Sequence, residues 1–384
     1  MNKKTIAVFF GGKSAEHDIS IITAIANIIK PLEILGHKIV PVYITKSGQW
    51  ISSNRLKNIA TFQKGEIDKI IKKHKLVQVF FDGKLLINGF KIDLVFPAMH
   101  GTFGEDGSLA GMLRLANVPF VGCDMEASVV AMNKILSKIV AVQNNIATPK
   151  FLYFSREGFN NDPDSAVKKI EENLKYPLFV KPPHLGSSIG ITKVDKKSDL
   201  RNALEVAAYY DTQILVEEGV NNLIEVTLPI IGNDKLTPAL LERPLNRGEF
   251  FDFDTKYMNG GKKGKYGKVG GAKTGKLGAQ GYSEIPAKIP EKLAKSAEEL
   301  ALTMYHSCGL TGIARIDMLI DEKTGVVYFN EINPLPGSLY AHNFARAGIS
   351  NVELVKKLIE LAEEKFAMDQ KAKTTFDTSF LKQF

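Results

Sequence analysis

The sequence predicts an α/β protein whose first third holds a parallel sheet and whose remainder mixes shorter strands with helices. Three observations carry this. TIAVFF is an apolar strand run that meets a glycine pair at once. Strand-like and helix-like runs then alternate, which implies parallel pairing with right-handed crossovers. At the far end VVYFNEINPLPG reads as a β-branched, aromatic strand followed by a stiff proline corner.

In order, GGKSAEHDIS is a glycine-opened loop, and DISIITAIANIIKPL has helical apolar spacing that ends near Pro31. KIVPVYI and DLVFPAM are the next strands. HGTFGEDG is a second strand-following loop, SLAGMLRLAN a helix, and VPFVG a return to the sheet. Ligands collect at the carboxyl ends of such strands, so both loops should face one crevice. A second unit begins near Asp124 with one long helix, MEASVVAMNKILSKIVAVQNN. It continues with strands KFLYF and LFVKP, a helix between them over Asp164 to Lys175, and a closing strand ILVEE. From Gly219 come strands around LIEVTLPII, EFFDFDTKY, GIARIDMLI and VVYFNEI, with helices near Glu291–Cys308 and Val352–Phe366. The last dozen residues lack periodicity and read as a fraying or packing arm.

At 384 residues the chain is long enough for two or three domains. Two cysteines, Cys123 and Cys308, stand far apart, which argues against disulfides or zinc and fits a reducing cytoplasm. No apolar run reaches the roughly 20 residues needed to cross a bilayer. The net charge of +8 is concentrated: residues 258–281 hold six lysines, nine glycines and no acid. With only Met258 and Tyr266 to stack or pack there, a nucleic-acid platform is not expected. That segment reads either as a solvated loop or as a lysine funnel for anionic substrates.

Glu331 and Asn333 lie two apart on a strand and so share a face. If the strand RIDMLI pairs beside them, Asp317 joins them, giving hard oxygen ligands suited to Mg²⁺ with substrate phosphates. An E-x-N pair at a strand end is more often solvated, but Glu331 follows an apolar run where an unpaired carboxylate is costly. In KPPHLGSSIGITKV, Lys181 ends a strand before a Gly-Ser-Ser-x-Gly loop. Gly186 and Gly190 let amides approach an anion, and Ser187 and Ser188 add hydroxyls. The lysine precedes the glycines, so this is no Walker A loop.

KPPHLGSSIG, RIDMLI and NEINPLPG together resemble the ATP-grasp ligases. HGTFGEDGSLAGML and GGKSAEHDIS narrow the resemblance to the D-alanine–D-alanine ligase family, over roughly residues 6–364. The resemblance implies a three-domain ATP-grasp architecture, with a parallel-sheet N-terminal domain (1–123) and two α+β domains (124–218 and 219–370) gripping ATP, then an arm (371–384). It implies an ADP-forming ligase that makes D-alanyl-D-alanine for peptidoglycan through an acyl phosphate. It also implies two Mg²⁺ ions, replaceable by Mn²⁺, small-molecule substrates, no membrane partner and a homodimer through the first domain.

By the same resemblance, Asp317, Glu331 and Asn333 hold the metal. Lys134, Lys181, Ser188 and Lys256 meet ATP phosphates, while Glu217, Val220 and Glu225 lie on the adenine and ribose side. Arg315 and the Gly337 N–H stabilise the developing oxyanion. Glu16 holds the first ammonium and, with Ser187 and Tyr257, clamps a lid; tyrosine at position 257 accompanies D-alanine as acceptor. Ile19, His100, Ser338, His342 and Asn343 are expected at the substrates. Two bland alternatives stand: Lys134 as a solvated helix lysine and His100 as a loop cap. His17 and Asp18 read as loop and cap residues.

Three departures matter. Leu223 and Ile224 stand where the family shows Gly-Arg, with Glu225 one residue late, so either a bulge restores its ribose contact or the contact is missing. EINPLPGSL followed by YAHNF replaces the usual E-x-N-T-x-P-G-x-T, with His342 and Asn343 where Ser-Leu binds the acceptor carboxylate. The lid carries the Gly/Lys insertion. A related ligase with another acceptor, and a non-catalytic nucleotide sensor, are the competing expectations.

Overall fold

The computed structural model describes residues 3–63, 65–73, 77–81, 83–245 and 283–384. The strand expected over EFFDFDTKY, with Lys256 and Tyr257, and the Gly/Lys segment lie outside these residues.

The N-terminal sheet has the order β3-β2-β1-β7, with β1 (Thr5–Gly11) parallel to both β2 (Lys38–Ile44) and β7 (Leu94–Pro97). Short β3 (Trp50–Ile51) runs antiparallel to the end of β2. On β1, Ile6, Val8 and Phe10 face one apolar cluster while Ala7 and Phe9 face another. Burial on both faces is why the strand reads as an unbroken apolar run. Pro41 sits mid-strand opposite Val8, but β3 pairs only with Tyr43 and Ile44, so the outer edge of β2 at Pro41 is open. VPFVG returns beside this sheet through a parallel bridge of Val95 and Phe120. Strands β4 (Val79–Phe81), β5 (Leu85–Ile87) and β6 (Phe90–Lys91) make a small antiparallel sheet not expected from the sequence.

The helix after the first loop does not stop at Pro31. It runs as an α-segment His17–Ile22, a π-helical segment Thr23–Ile29 and a further turn Lys30–Ile34. The wider π-turn before Pro31 leaves room for the ring, whose missing N–H and clash would break a regular helix.

The central sheet has the order β10-β9-β11-β8, built antiparallel from β8 (Phe151–Ser155), β9 (Leu178–Lys181), β10 (Thr192–Val194) and β11 (Gln213–Glu218). Leu178, Val180, Ile214 and Val216 pack against helices Pro163–Asn173 and Lys197–Tyr210; the second of these was not anticipated. By alternation Phe179, Lys181, Leu215 and Glu217 point to the opposite face. The long helix expected over residues 125–143 is two, Met125–Met132 and Lys134–Gln143. Asn133 leaves helical φ/ψ (−88°, 104°), and its side chain caps the second helix through the Ile135 and Leu136 N–H groups.

The last sheet, β13-β12-β16-β17, is antiparallel: β12 (Leu223–Gly232), β13 (Leu236–Pro238), β16 (Gly312–Asp321) and β17 (Val326–Asn333), with β14 (Arg243–Pro244) and β15 (Ser283–Glu284) paired separately. Val226, Leu228, Ile316, Met318, Phe329 and Ile332 bury against helix Glu291–Ser307. The other face carries Thr227, Arg315, Asp317, Glu331 and Asn333. Helix Asn351–Asp369 sends Leu354, Val355, Leu358 and Ile359 into the same cluster as Ile6, Val8, Ile25 and Leu32, so the last and first units share one core. Among the described residues no helix is long and apolar enough to cross a membrane.

Candidate active site

Pairing of β16 with β17 places Asp317 opposite Glu331 and Arg315 opposite Asn333. The expected convergence of these groups is what the register produces. Asn333 Nδ2 donates to Asp317 Oδ2 at 3.0 Å. Arg315 grips both Asp317 oxygens, Nε to Oδ1 at 2.7 Å and a terminal nitrogen to Oδ2 at 2.6 Å. Thr227 donates to Oδ1 from β12. Burial works against the Arg315 charge, but Asp317 outweighs it and holds the guanidinium cationic. The guanidinium also lies 5.0 Å from the centre of the Tyr340 ring.

A β-bulge interrupts this pairing: Asp317 faces Glu331 while Met318 faces Phe329. The extra residue is Asn330, whose Oδ1 lies 3.5 Å from Lys181 Nζ. Alternation alone could not reveal this contact. Across from Glu331 stands Lys134, 6% exposed, with Nζ 3.0 Å from Glu331 Oε2 and donating to the Leu185 carbonyl at 2.8 Å. The solvated-lysine alternative for Lys134 is therefore excluded. The helix break at Asn133 is what sets Lys134 at the first helical position, beside the 182–190 loop.

Glu217, expected on the adenine side, has two lysine partners that the sequence did not reveal. Its carboxylate is 1% exposed and joins two lysines, Lys181 at Oε1 and Lys138 at 2.9 Å from Oε2. Burial alone would raise its pKa, but the two ammonium groups hold it down to about 2. Lys138 was not anticipated, because mid-helix its lysine has no local signature; it is fully buried, and desolvation pulls its pKa down against Glu217. Val220 is half-buried in the turn between β11 and β12. The register of β12 on β16 is continuous, so no bulge lies at Glu225. Alternation puts Glu225 on the strand face of Thr227, the residue that touches Asp317.

Ser187 and Ser188 both adopt left-handed backbone (φ 55° and 60°), which turns the loop back toward the N-terminal unit. There Ser187 Oγ donates to Glu16 Oε1. Gly101 lies against the same carboxylate: a Cβ at its φ of 70° would sit 2.9 Å from Glu16 Oε2. His17 is no loose loop residue. It is buried, with Nδ1 2.7 Å from the Gly12 carbonyl and Nε2 3.0 Å from the Tyr43 hydroxyl. His184 ties the phosphate-loop segment down through its N–H and Nδ1 to Asp211, and its Nε2 lies 3.0 Å from Asn133 Nδ2. A Cβ at Gly337 would lie 3.9 Å from Ile19 Cγ2, so these two expected site residues adjoin.

Two residues expected at the substrates have their polar atoms engaged within the protein. His100 is 3% exposed with both ring nitrogens engaged, by Thr23 Oγ1 at 2.9 Å and the Leu335 carbonyl at 3.0 Å. It supports the site from behind, and burial lowers its pKa. Asn343 is fully buried and staples the backbone, pairing with both the N–H and C=O of Leu240 and with Glu242. His342 is partly buried, 3.2 Å from Glu242, with its ring tilted at 47° to that of Tyr340 and 4.9 Å from it. Ser338 offers its N–H to Thr23 rather than to the crevice.

Lys134 thus pairs with Glu331 and Lys181 reaches Asn330, while Ser187 ties the 182–190 loop to Glu16. Among the described residues no three His, Cys, Asp or Glu side chains group as a metal site. Asp317 and Glu331 reach three donors only with the Asn333 amide. Such a hard-oxygen set fits an octahedral cation that keeps water and phosphate ligands.

Comparison with known proteins bears on this arrangement. Residues 5–123 match the family model of the D-ala D-ala ligase N-terminus, and residues 140–269 and 271–360 that of the D-ala D-ala ligase C-terminus. The chain belongs to the D-alanine–D-alanine ligase family. It is 35% identical over 382 residues to the D-alanine–D-alanine ligase of Chloroherpeton thalassium, covering 96% of this chain and 98% of the relative. With that of Chlorobium limicola it is 34% identical, covering 95% and 98%. Among solved structures, the D-alanine–D-alanine ligase from Coxiella burnetii superposes with a TM-score of 0.78 at 25% identity, covering 97% of each chain. The VanG D-Ala:D-Ser ligase from Enterococcus faecalis superposes with a TM-score of 0.74 at 33% identity, covering 94% of this chain and all of that one. These neighbours have the ATP-grasp fold.

Proposed function

We propose that this ligase joins two D-alanine molecules at the expense of ATP, and that the residues above act as follows. The observation that supports this most is the facing of Lys134 and Lys181 on the central unit with Glu331 and Asn330 on the last one. ATP binds between the central and last sheets, units we delimit at 124–218 and 219–370, with its phosphates at the lysines and the Ser187–Ser188 turn. Asp317, Glu331 and Asn333 would hold a divalent cation, Mg²⁺ in this reading, which would supply positive charge for phosphoryl transfer. Glu16 receives the ammonium of the first D-alanine. One carboxylate oxygen of that D-alanine takes the γ-phosphoryl group and ADP leaves. Arg315 and the Gly337 N–H stabilise the oxyanion formed when the second amine attacks the acyl carbon. Phosphate departs, the amine loses its proton, and D-alanyl-D-alanine for peptidoglycan synthesis remains. We place the enzyme in the cytoplasm as a homodimer, an assembly that sedimentation would test.

Purified protein with ATP, Mg²⁺ and a panel of D- and L-amino acids and D-hydroxy acids tests this through phosphate release and product mass. ADP formation with D-alanine alone, yielding the dipeptide, is expected. Nucleotide binding without turnover on any acceptor would instead mark a sensor. A second reading has one specific observation behind it, the departure around His342. The likeness to a D-Ala:D-Ser ligase makes D-serine the first alternative acceptor to try. Product only from a mixed pair would favour it.

His342, partly buried beside Glu242, is the candidate we retain for the acceptor carboxylate. His342→Ala should raise the acceptor KM about 10-fold, the worth of one hydrogen bond to a charged group, and leave the KM for ATP in place. An unchanged acceptor KM would remove His342 from that pocket.

A further inference from the structure

After Gly337 the chain reverses through three consecutive residues in left-handed backbone, Ser338 (φ 53°), Leu339 (52°) and Tyr340 (49°). None is glycine, so the turn costs of order 1–3 kcal/mol per residue and persists only if its surroundings hold it. Those surroundings belong to the N-terminal unit. Ser338 N–H donates to Thr23 Oγ1 at 3.0 Å, and Thr23 Oγ1 donates in turn to His100 Nε2 at 2.9 Å. His100 Nδ1–H donates to the Leu335 carbonyl at 3.0 Å. The Leu335 N–H donates to Glu105 Oε1 at 3.1 Å, and Gly101 N–H donates to Glu105 Oε2 at 2.6 Å. With His100 neutral and its proton on Nδ1, the bonds that join Ser338, Thr23, His100 and the Leu335 carbonyl each pair a donor with an acceptor. Thr23, His100 and Glu105 are all buried, at 0, 3 and 7% exposure.

Thr23 is also the first residue of the π-helical segment. A helical threonine hydroxyl ordinarily bonds a carbonyl three or four residues back; here it reaches another unit of the chain.

We infer that Thr23 is a positioning residue for acyl transfer, fixing from the N-terminal unit the turn that presents the Gly337 N–H. Glu105 holds the other end of the same turn at Leu335. The turn is thereby preorganised by the contact between the first and last units, which share one core. This rests on the ligase reading above.

Thr23→Val keeps the shape and removes the hydroxyl; Thr23→Ser keeps the hydroxyl. In the full-length enzyme, T23V should lower kcat about 30-fold, since a misaligned oxyanion donor costs less than a deleted one, while T23S stays within about threefold of wild type. The KM for ATP should stay within about threefold in both, because the ATP contacts lie elsewhere. A T23V enzyme with wild-type kcat overturns the inference. So does a T23S enzyme as slow as T23V, because serine keeps the hydroxyl and the loss of kcat would then not follow it. Should T23V fail to fold, Glu105→Gln takes its place, since its amide can accept only one of the two N–H groups. The same fall in kcat is expected, and wild-type kcat is again the contrary result. A wild-type protein that ligates nothing sinks the ligase reading and this inference together.

Discussion

Glu217→Gln should cost the fold about 3–5 kcal/mol and abolish tight ATP binding, because it strands two buried ammonium groups around a neutral amide. Lys138 is fully buried and Lys181 nearly so, and Glu217 joins them both. Isolated, each buried charge carries a desolvation cost of several kcal/mol, which no packing gain repays. Glutamine matches glutamate in size, so no cavity confuses the result. Differential scanning calorimetry and nucleotide titration read the two effects, and an unfolding midpoint within about 1 °C of wild type would refute the first. The pH dependence follows with a fixed sign. Burial opposes the charge, but the lysines win and depress the folded-state pKa from its ordinary 4.5 to about 2. The stabilisation is therefore complete above the unfolded-state value and is lost as pH falls through the folded one. Wild type and E217Q should differ most near neutrality and converge between about pH 4.5 and 2.

The strands that build the site were legible because their chemistry is local. TIAVFF is apolar throughout because both faces are buried, and RIDMLI alternates because one face is core and the other is site. Alternation put Glu331 beside Asn333 and Arg315 beside Asp317, and the observed register agrees. What escaped depends on partners far away in the chain. Lys138 looks like any helical lysine until Glu217 is brought to it. Asn330 meets Lys181 only because a bulge adds a residue opposite Asp317. Asn133 sits inside an uninterrupted helical pattern, yet it breaks the helix and caps its second half, and that break seats Lys134. His100 was drawn toward the substrate by resemblance, whereas Thr23 and Leu335 already use both its nitrogens. Helix Lys197–Tyr210 is a different kind of miss. Its Leu200, Ala203, Leu204 and Ala207 repeat at helical spacing and bury on one face, so its signal was present in the sequence.

Arg315→Met should reduce kcat about 1,000-fold while leaving the Kd for ATP within about threefold. In the proposed reaction the guanidinium serves the acyl end of the crevice; it holds Asp317 through two bonds, 2.7 and 2.6 Å, and lies over Tyr340. In the proposed reaction its charge is needed when negative charge collects on the transferring phosphoryl and the attacked carbonyl, so its loss falls on the transition state more than on bound ATP. Two consequences of the substitution act together, since Asp317 also loses the partner that orients it toward Glu331 and Asn333. Arg315→Lys separates them. A lysine restores the positive charge but cannot reproduce the two-pronged grip on Asp317, so it should recover at most about tenfold of the lost kcat. Full recovery by lysine would show that charge alone matters and that the fork on Asp317 is incidental. A methionine variant within about tenfold of wild-type kcat would take Arg315 out of the transition state altogether.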